Sequence, residues 1–463
     1  VEDVPRLDPF VTEGLGDSSY LLASGDEAVV VDPQRDVGRI LAAAASSGRR
    51  ILAVLETHVH NDYVSGAHEI RDATGAELLL PARGRYAFDH RPMDEGDEIQ
   101  VGDLLLRALE TPGHTPEHLA WLALLGDDAR PWAVFTGGSL MAGSAGRTDL
   151  LGPDRADALT RDQFASLHRL AELPDDVRVL PTHGAGSFCG SAGGGSRRTS
   201  TIGVERTSNP VLASSDLEAF VADRLSGLPE YPAYYRFMAG VNREGPALLR
   251  DLAEPVSMDP ADLERALGEG VRLVDGRDRL SFSGAHVPGS LNIELDDQFG
   301  TYLGWLVPWN EPVAVIVPEP QVDALAEALV QARRIGFDRV VGFLDGGVDA
   351  WSSTGRAVSS YGTANVDDVC DAIRTGAEAP TLVDVRQPGE WADGTVPGSR
   401  TIFVADLPAR LGEAAADGET WVICRTGHRA SIAASLLDAA GKHVRLVTPG
   451  GVPAVLAACA PAT

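Results

Sequence analysis

The first half of the chain alternates short apolar runs with amphipathic stretches. SYLLAS, AVVVD, ILAVLETH, AELLLP, LLLRALET, WAVFTG and RVLPTH each read as a strand. Between them, 35–47 and 160–173 read as helices, so this half predicts layered α/β structure. Ser187 to Arg198 is dense in glycine and serine and predicts a long flexible loop, whereas 215–252 predicts helical, connective structure.

Beyond residue 255 the pattern repeats itself. Leu273-Val-Asp-Gly-Arg277 returns as Leu382-Val-Asp-Val-Arg386, and Val287-Pro-Gly-Ser290 as Val396-Pro-Gly-Ser399, at one common offset. Gly346-Gly-Val348 is echoed by Gly450-Gly-Val452. Matches in register predict two copies of one α/β fold, so the chain divides into 1–255 with its helical connector, 256–358 and 359–463.

Charge narrows the partners. A net charge of -28 and a pI near 4.7 argue against nucleic acid, which needs clustered cations. Only Lys442 among 39 basic residues is lysine, a compositional bias without functional content. Cysteines 189, 370, 424 and 459 are too scattered for a disulfide framework and predict four thiols in a reducing compartment, with Cys370 and Cys459 as core residues. The N-terminus lacks a basic-then-apolar leader and no apolar run is long enough to span a bilayer, so the expectation is a soluble cytoplasmic protein without a membrane partner. Assembly into a homo-oligomer is left open.

In the last copy, Thr420-Trp-Val-Ile predicts a strand running into Cys424-Arg-Thr-Gly-His-Arg429 and then a helix over 430–440. A cysteine there faces free backbone N–H groups and the positive end of the helix dipole, which favour thiolate over thiol. Arg429 closes the loop and can hold an anion beside the sulfur. The motif resembles the active loop of rhodanese sulfurtransferases, in which such a cysteine carries a persulfide sulfur. The resemblance implies that Cys424 and Arg429 are catalytic and that Arg425, Thr426, Gly427 and His428 form the sulfur-binding loop. Asp384-Val-Arg386, Glu390-Trp391 and the Val396-Pro-Gly398 turn match rhodanese elements as well, although Gly394-Thr395 stands where a histidine is usual. The first copy ends the matching strand in Pro318-Glu-Pro320 and has no cysteine, which assigns it a scaffolding or docking role.

The first domain carries a different chemistry. Thr57-His-Val-His-Asn-Asp-Tyr63 can aim alternate side chains into one cleft, and Thr111-Pro-Gly-His114 and Pro181-Thr-His183 add histidines after two further strands. His58, His60, Asp62, His114 and His183 are the candidate metal ligands. With Phe135-Thr-Gly137, Gly146-Arg-Thr-Asp149 and Ser200-Thr-Ile-Gly203, this domain resembles the metallo-β-lactamase fold, an αββα sandwich, and within it the persulfide dioxygenases fused to rhodanese domains. That resemblance spans nearly the whole chain. It implies one Fe(II) held by two histidines and an aspartate, oxidising a low-molecular-weight thiol persulfide, with sulfite or thiosulfate as products or co-substrates.

Two positions depart from the family pattern. Gly138 occupies the ligand aspartate's place, and Tyr63 stands where another histidine belongs. Both losses argue against a two-zinc hydrolase of glyoxalase II type, which needs paired metals. His58, His60 and His114 remain as a set for one zinc or iron. Three readings stay open: an iron site with water or Asp62 filling the gap, a metal site with little oxygen chemistry, and a metal-free domain serving a sulfur relay. The small residue at 138 also leaves room for an exogenous anion on the metal. Arg147 either pairs with Asp149 or meets a substrate carboxylate; Cys189 either relays sulfur or is an incidental exposed thiol.

Overall fold

The computed structural model describes residues 5–126, 128–190, 197–375, 380–415 and 418–459. It resolves into two compact units, 1–252 with 333–336, and 253–332 with 337–463.

In the first unit one six-stranded sheet takes β1 (Arg6–Thr12), β2 (Asp17–Ser24), β3 (Glu27–Val31), β4 (Arg50–Leu55), β5 (Glu77–Pro81) and β6 (Arg91–Met93) in chain order. The second sheet takes β7 (Glu98–Val101), β8 (Leu104–Glu110), β9 (Leu119–Leu125) and β10 (Arg130–Gly137), then, beyond the small hairpin β11 (Leu140–Met141) and β12 (Ser144–Ala145), β13 (Arg178–Pro181) and β14 (Ser200–Thr201), in the order β14-β13-β10-β9-β8-β7.

Alternation along the strands builds the layers. On β2 and β3, Tyr20, Leu22, Val29 and Val31 face inward onto Leu106, Trp121 and Phe135 of the other sheet. Leu21, Ala23, Ala28 and Val30 face outward onto Ile40 and Ala44 of helix Gly38–Ser46 and Ile70 of helix Ala67–Thr74. The second sheet is covered likewise by helix Pro153–Leu170, through Leu167 and Leu170. The result is an αββα sandwich, as expected. Of the long glycine-serine loop, 191–196 lie outside the described residues, and ILAVLETH ends its strand at Leu55, leaving Thr57 to Tyr63 as the turn that carries the histidines.

The second unit holds two five-stranded parallel sheets of identical plan. The first copy comprises β15 (Val256–Met258), β16 (Arg272–Asp275), β17 (Leu291–Asn292), β18 (Val313–Ile316) and β19 (Val340–Leu344), in the order β15-β19-β18-β16-β17. In the second, β20 (Gly362–Ala364), β21 (Thr381–Asp384), β22 (Arg400–Thr401), β23 (Thr420–Ile423) and β24 (Val444–Val447) run β20-β24-β23-β21-β22. Matched order strand for strand accounts for the internal repeat. One expectation is corrected here: Cys370 and Cys459 are not thiols but a disulfide, with Cα atoms 5.5 Å apart and a sequence separation of 89. Helices Val366–Thr375 and Val452–Ala458 pack together and bring the two sulfurs into reach, so a reducing compartment no longer follows from cysteine usage. Among the described residues no helix is long and apolar enough to cross a membrane.

Candidate functional site

Three histidines converge at the strand ends of the first unit. The ligand nitrogens of His58, His114 and His183 all lie within 4.8 Å of one another, in a fully buried setting. Each ring is oriented by what its other nitrogen meets. His58 Nδ1 contacts Thr57 Oγ1 at 2.8 Å, His114 Nδ1 the carbonyl of Arg147 at 2.7 Å, and His183 Nδ1 the Asp17 carboxylate at 2.8 Å. That leaves the Nε2 atoms to face inward: those of His58 and His183 are 3.2 Å apart, and that of His114 is buried without a hydrogen-bond partner. Burial, reinforced by the neighbouring rings, holds His58 well below the ordinary imidazole range and His114 down to about 3, so both lone pairs stay free. Burial thus leaves His58 and His114 as oriented, neutral imidazoles with a partner behind each ring, and together with His183 they form a donor set that fits one divalent cation.

His60 departs from the expected trio. Its Nε2 is committed to Glu56 (2.8 Å) and lies 3.3 Å from Asp32, while the Tyr63 ring stacks on it with its hydroxyl 3.0 Å from the same nitrogen. Burial opposes charging His60, but Asp32 and Glu56 outweigh it and raise it well above the ordinary range. The structure thus groups His58 and His114 with His183, and places His60 in adjoining groups, one with Asp32 and His58 and one with Asp62 and His183. Tyr63 serves as a brace for His60. Asp62 stands 3.2 Å from His183 Nδ1, so it lies behind that ring. Burial and the charge of Asp62 push Asp17 up to about 8, and against the cost of burial Asp62 and Asp17 lift His183 to about 10.

Gly138 is not an opening. A Cβ built there would fall 2.2 Å from His114 Cδ2 and 2.6 Å from its Nε2, and one at Gly146 only 2.7 Å from His114 Nδ1. The imidazole is clasped between two glycines and fills the space that an anion was expected to use. The Gly138 N–H donates to His118 Nε2 at 3.0 Å, which places His118 behind the site.

Arg147 spends its donors on structure. Two go to Asp149 at 2.7 Å each and one to the carbonyl of Pro229 at 2.7 Å, and the guanidinium lies over the Tyr231 ring. Cys189 is wholly buried, which corrects the exposed-thiol reading; burial, with Asp62 and Asp17 nearby, pushes its thiol well up and opposes a relay through a thiolate. The alternating pattern gave no sign of Asp17, Asp32 or Glu56, although Asp32 ends an apolar strand at a positive φ of 48°. Its carboxylate accepts from the N–H and hydroxyl of Thr57, at 2.7 Å each, and so fixes the turn.

In the second unit, Cys424 sits at the end of β23, 1% exposed, and accepts the Gly427 N–H on Sγ at 3.1 Å. Helix His428–Ala439 opens at once behind it, and Arg425 and Thr426 form the exposed lip of the loop. Val452 N–H donates to the Cys424 carbonyl at 2.8 Å, and a Cβ at Gly451 would fall 2.3 Å from that oxygen, which explains the glycine pair before Val452. Arg429 was expected to hold an anion; instead both terminal nitrogens engage the Glu390 carboxylate. His428 is buried at the helix start with its Nε2 unpartnered.

A sandwich of two sheets with histidines converging at its strand ends defines a metal-site αββα fold, here followed by a tandem pair of parallel-sheet α/β domains. The chain belongs to the metallo-beta-lactamase superfamily, which it matches over residues 13–183, and rhodanese-like domains match 259–354 and 366–458. A hydroxyacylglutathione hydrolase of Methylobacillus flagellatus is 30% identical over 216 residues, covering 46% of this chain and 76% of the relative. One of Rhodopseudomonas palustris is 32% identical over 229 residues, or 49% and 80%. Among solved structures, a metallo-beta-lactamase from Staphylococcus aureus superposes with a TM-score of 0.65 at 25% identity, over 73% of this chain and 98% of that one.

Proposed function

We propose that the protein handles sulfane sulfur at two stations: transfer through Cys424, and oxidation of a low-molecular-weight thiol persulfide at a mononuclear metal centre in the first unit. The observation that carries the reading is the Cys424 sulfur, held at a helix start with a backbone N–H on it, in the same chain as a one-metal histidine cluster. In the transfer step the sulfur of Cys424 attacks the outer sulfur of thiosulfate, the S–S bond breaks, sulfite leaves with the bonding pair, and a cysteine persulfide remains. Cyanide or another thiophile then takes the terminal sulfur and returns the thiolate. A helix start with a donated N–H favours the anionic sulfur at both stages.

In the first unit His58, His114 and His183 would hold the metal, Fe(II) in our reading and zinc as the alternative. The metal supplies activation of dioxygen, by which a persulfide, dioxygen and water yield thiol, sulfite and two protons. Asp17, Thr57 and the Arg147 carbonyl keep the three rings in register for it. The hydrolase relatives favour a second reading, thioester hydrolysis, but that chemistry rests on paired metals, and the space of a bridging carboxylate at 138 is taken by His114.

The test has two arms. Thiosulfate and cyanide should give thiocyanate with the native chain and none with Cys424→Ser; undiminished turnover by the variant sinks the transfer step. Iron-loaded protein should consume oxygen with glutathione persulfide. No uptake, together with hydrolysis of a glutathione thioester, would establish the second reading instead.

A further inference from the structure

The copy without a cysteine reaches into the other copy's loop. Arg279, first residue of helix Arg279–Gly284, donates from Nη1 to the Thr426 carbonyl at 2.7 Å. Its remaining edge is locked at home, with Nε donating to Glu294 Oε1 at 2.8 Å and Nη2 to Oε2, so one terminal nitrogen is left for Thr426. The Thr426 carbonyl and the Gly427 N–H belong to one peptide unit, and in a trans peptide they point in opposite directions. Fixing the carbonyl toward Arg279 therefore aims the N–H at Cys424 Sγ, 3.1 Å away.

The alternative orientation is accessible to the backbone. Gly427 has φ 104° and ψ -22°, in the region that favours glycine. Turning the 426–427 peptide by about 180° would bring φ to roughly -75°, an ordinary value for any residue, and remove the N–H from the sulfur. A Cβ at 427 would also fall 2.4 Å from Arg279 Nη1, so the guanidinium approaches the bare backbone. The copies are held in this register by the helix behind Cys424: Asn292 N–H donates to Ser435 Oγ at 3.0 Å, and His286 Nε2 lies 3.0 Å from Asp438.

We infer that Arg279 is a positioning residue for sulfur transfer at Cys424, supplied by the inactive copy, which holds the Thr426–Gly427 peptide with its N–H on the reactive sulfur. The inference rests on the sulfur-transfer reading above. It gives the first copy a specific task in the chemistry of the second.

Other charged or titratable groups lie around the sulfur loop, with Arg425 on its exposed lip. Arg429 is engaged by Glu390, His428 faces Asp296 at 3.6 Å, and the Tyr302 ring meets His428 edge-on. The experiment follows the ultraviolet thiolate absorbance of the full chain against pH, with Cys424→Ser as the blank, alongside thiocyanate turnover and melting temperature. Arg279→Ala should move the thiolate midpoint up by about one pH unit and cut turnover about ten-fold, as expected for one lost hydrogen bond to a charged sulfur. Arg279→Lys, which keeps a donor without the fork, should recover part of both.

In the native chain about 1 M salt should leave the midpoint in place, since a held peptide is not screened. A folded Arg279→Ala protein with an unmoved midpoint overturns the inference, as does salt that reproduces the variant's shift. Should Arg279→Ala fail to fold, Glu294→Gln loosens the same arginine and should shift the midpoint in the same direction; no shift overturns the inference. A native chain that titrates as described but makes no thiocyanate leaves the positioning intact and removes the transfer reading.

Discussion

At the residue scale the most informative position is Gly138. Its neighbour His114 lies so close that any side chain must displace a candidate ligand. Gly138→Asp, which nominally restores the family's carboxylate, should therefore lower metal affinity and cost about 1–3 kcal/mol of stability through overpacking. Metal analysis and thermal unfolding of the purified variant check this; a tighter iron site would refute it. Glu390 gives a pH prediction. Burial raises its carboxyl, but the hydrogen bonds and charge of Arg429 outweigh that and leave it below the usual range. A carboxyl depressed in the folded state contributes stability above its unfolded pKa and loses it as pH falls through the folded value. Glu390→Gln should thus lower the melting temperature at neutral pH, and the difference from the native chain should vanish once pH drops below the carboxylate range. Cys424 and the histidines at 58, 60, 114 and 183 drew attention in the sequence because Cys and His are rare residue types and these stand just after strands. The roles of Asp17, Asp32 and Glu56 were not legible, because carboxylates are common and only the folded chain shows which ones are buried against a histidine.

At the scale of elements, pattern reading found apolar runs buried on both faces, such as β2 and β3, and missed the half-exposed β1 and β7. β9, LAWLALL, packs on both sides between β8 and β10, and it escaped notice beside the motif it follows. The turn from Thr57 to Tyr63 was legible as a ligand cluster, yet its register was not: which of His60 and His183 joins His58 and His114 depends on the Glu56 and Asp32 carboxylates. The disulfide between the helices Val366–Thr375 and Val452–Ala458 was invisible for a related reason, since its halves stand at a sequence separation of 89. Reducing it should destabilise the last copy by about 2–4 kcal/mol. Thermal unfolding with and without a strong reductant, and of Cys370→Ser, reads this directly. Equal transitions in all three would show that the bond carries no stability.

At the scale of the whole molecule, the two proposed chemistries draw on separate residues of one chain. His58, His60, Asp62, His114 and His183 all belong to the first unit, and the sulfur-loop residues 424–429 to the second. Removing metal with a chelator should accordingly abolish oxygen consumption and leave thiosulfate–cyanide turnover unchanged. A parallel loss of both activities would reveal a dependence that the fold does not provide. The copies within the second unit are not independent in this way. Duplication ordinarily releases one sibling from selection, free to drift or be discarded. Here the copy without a cysteine holds its twin's loop, so under the proposed sulfur transfer, changes at Arg279 and Glu294 should register as damage to a reaction housed outside their own domain.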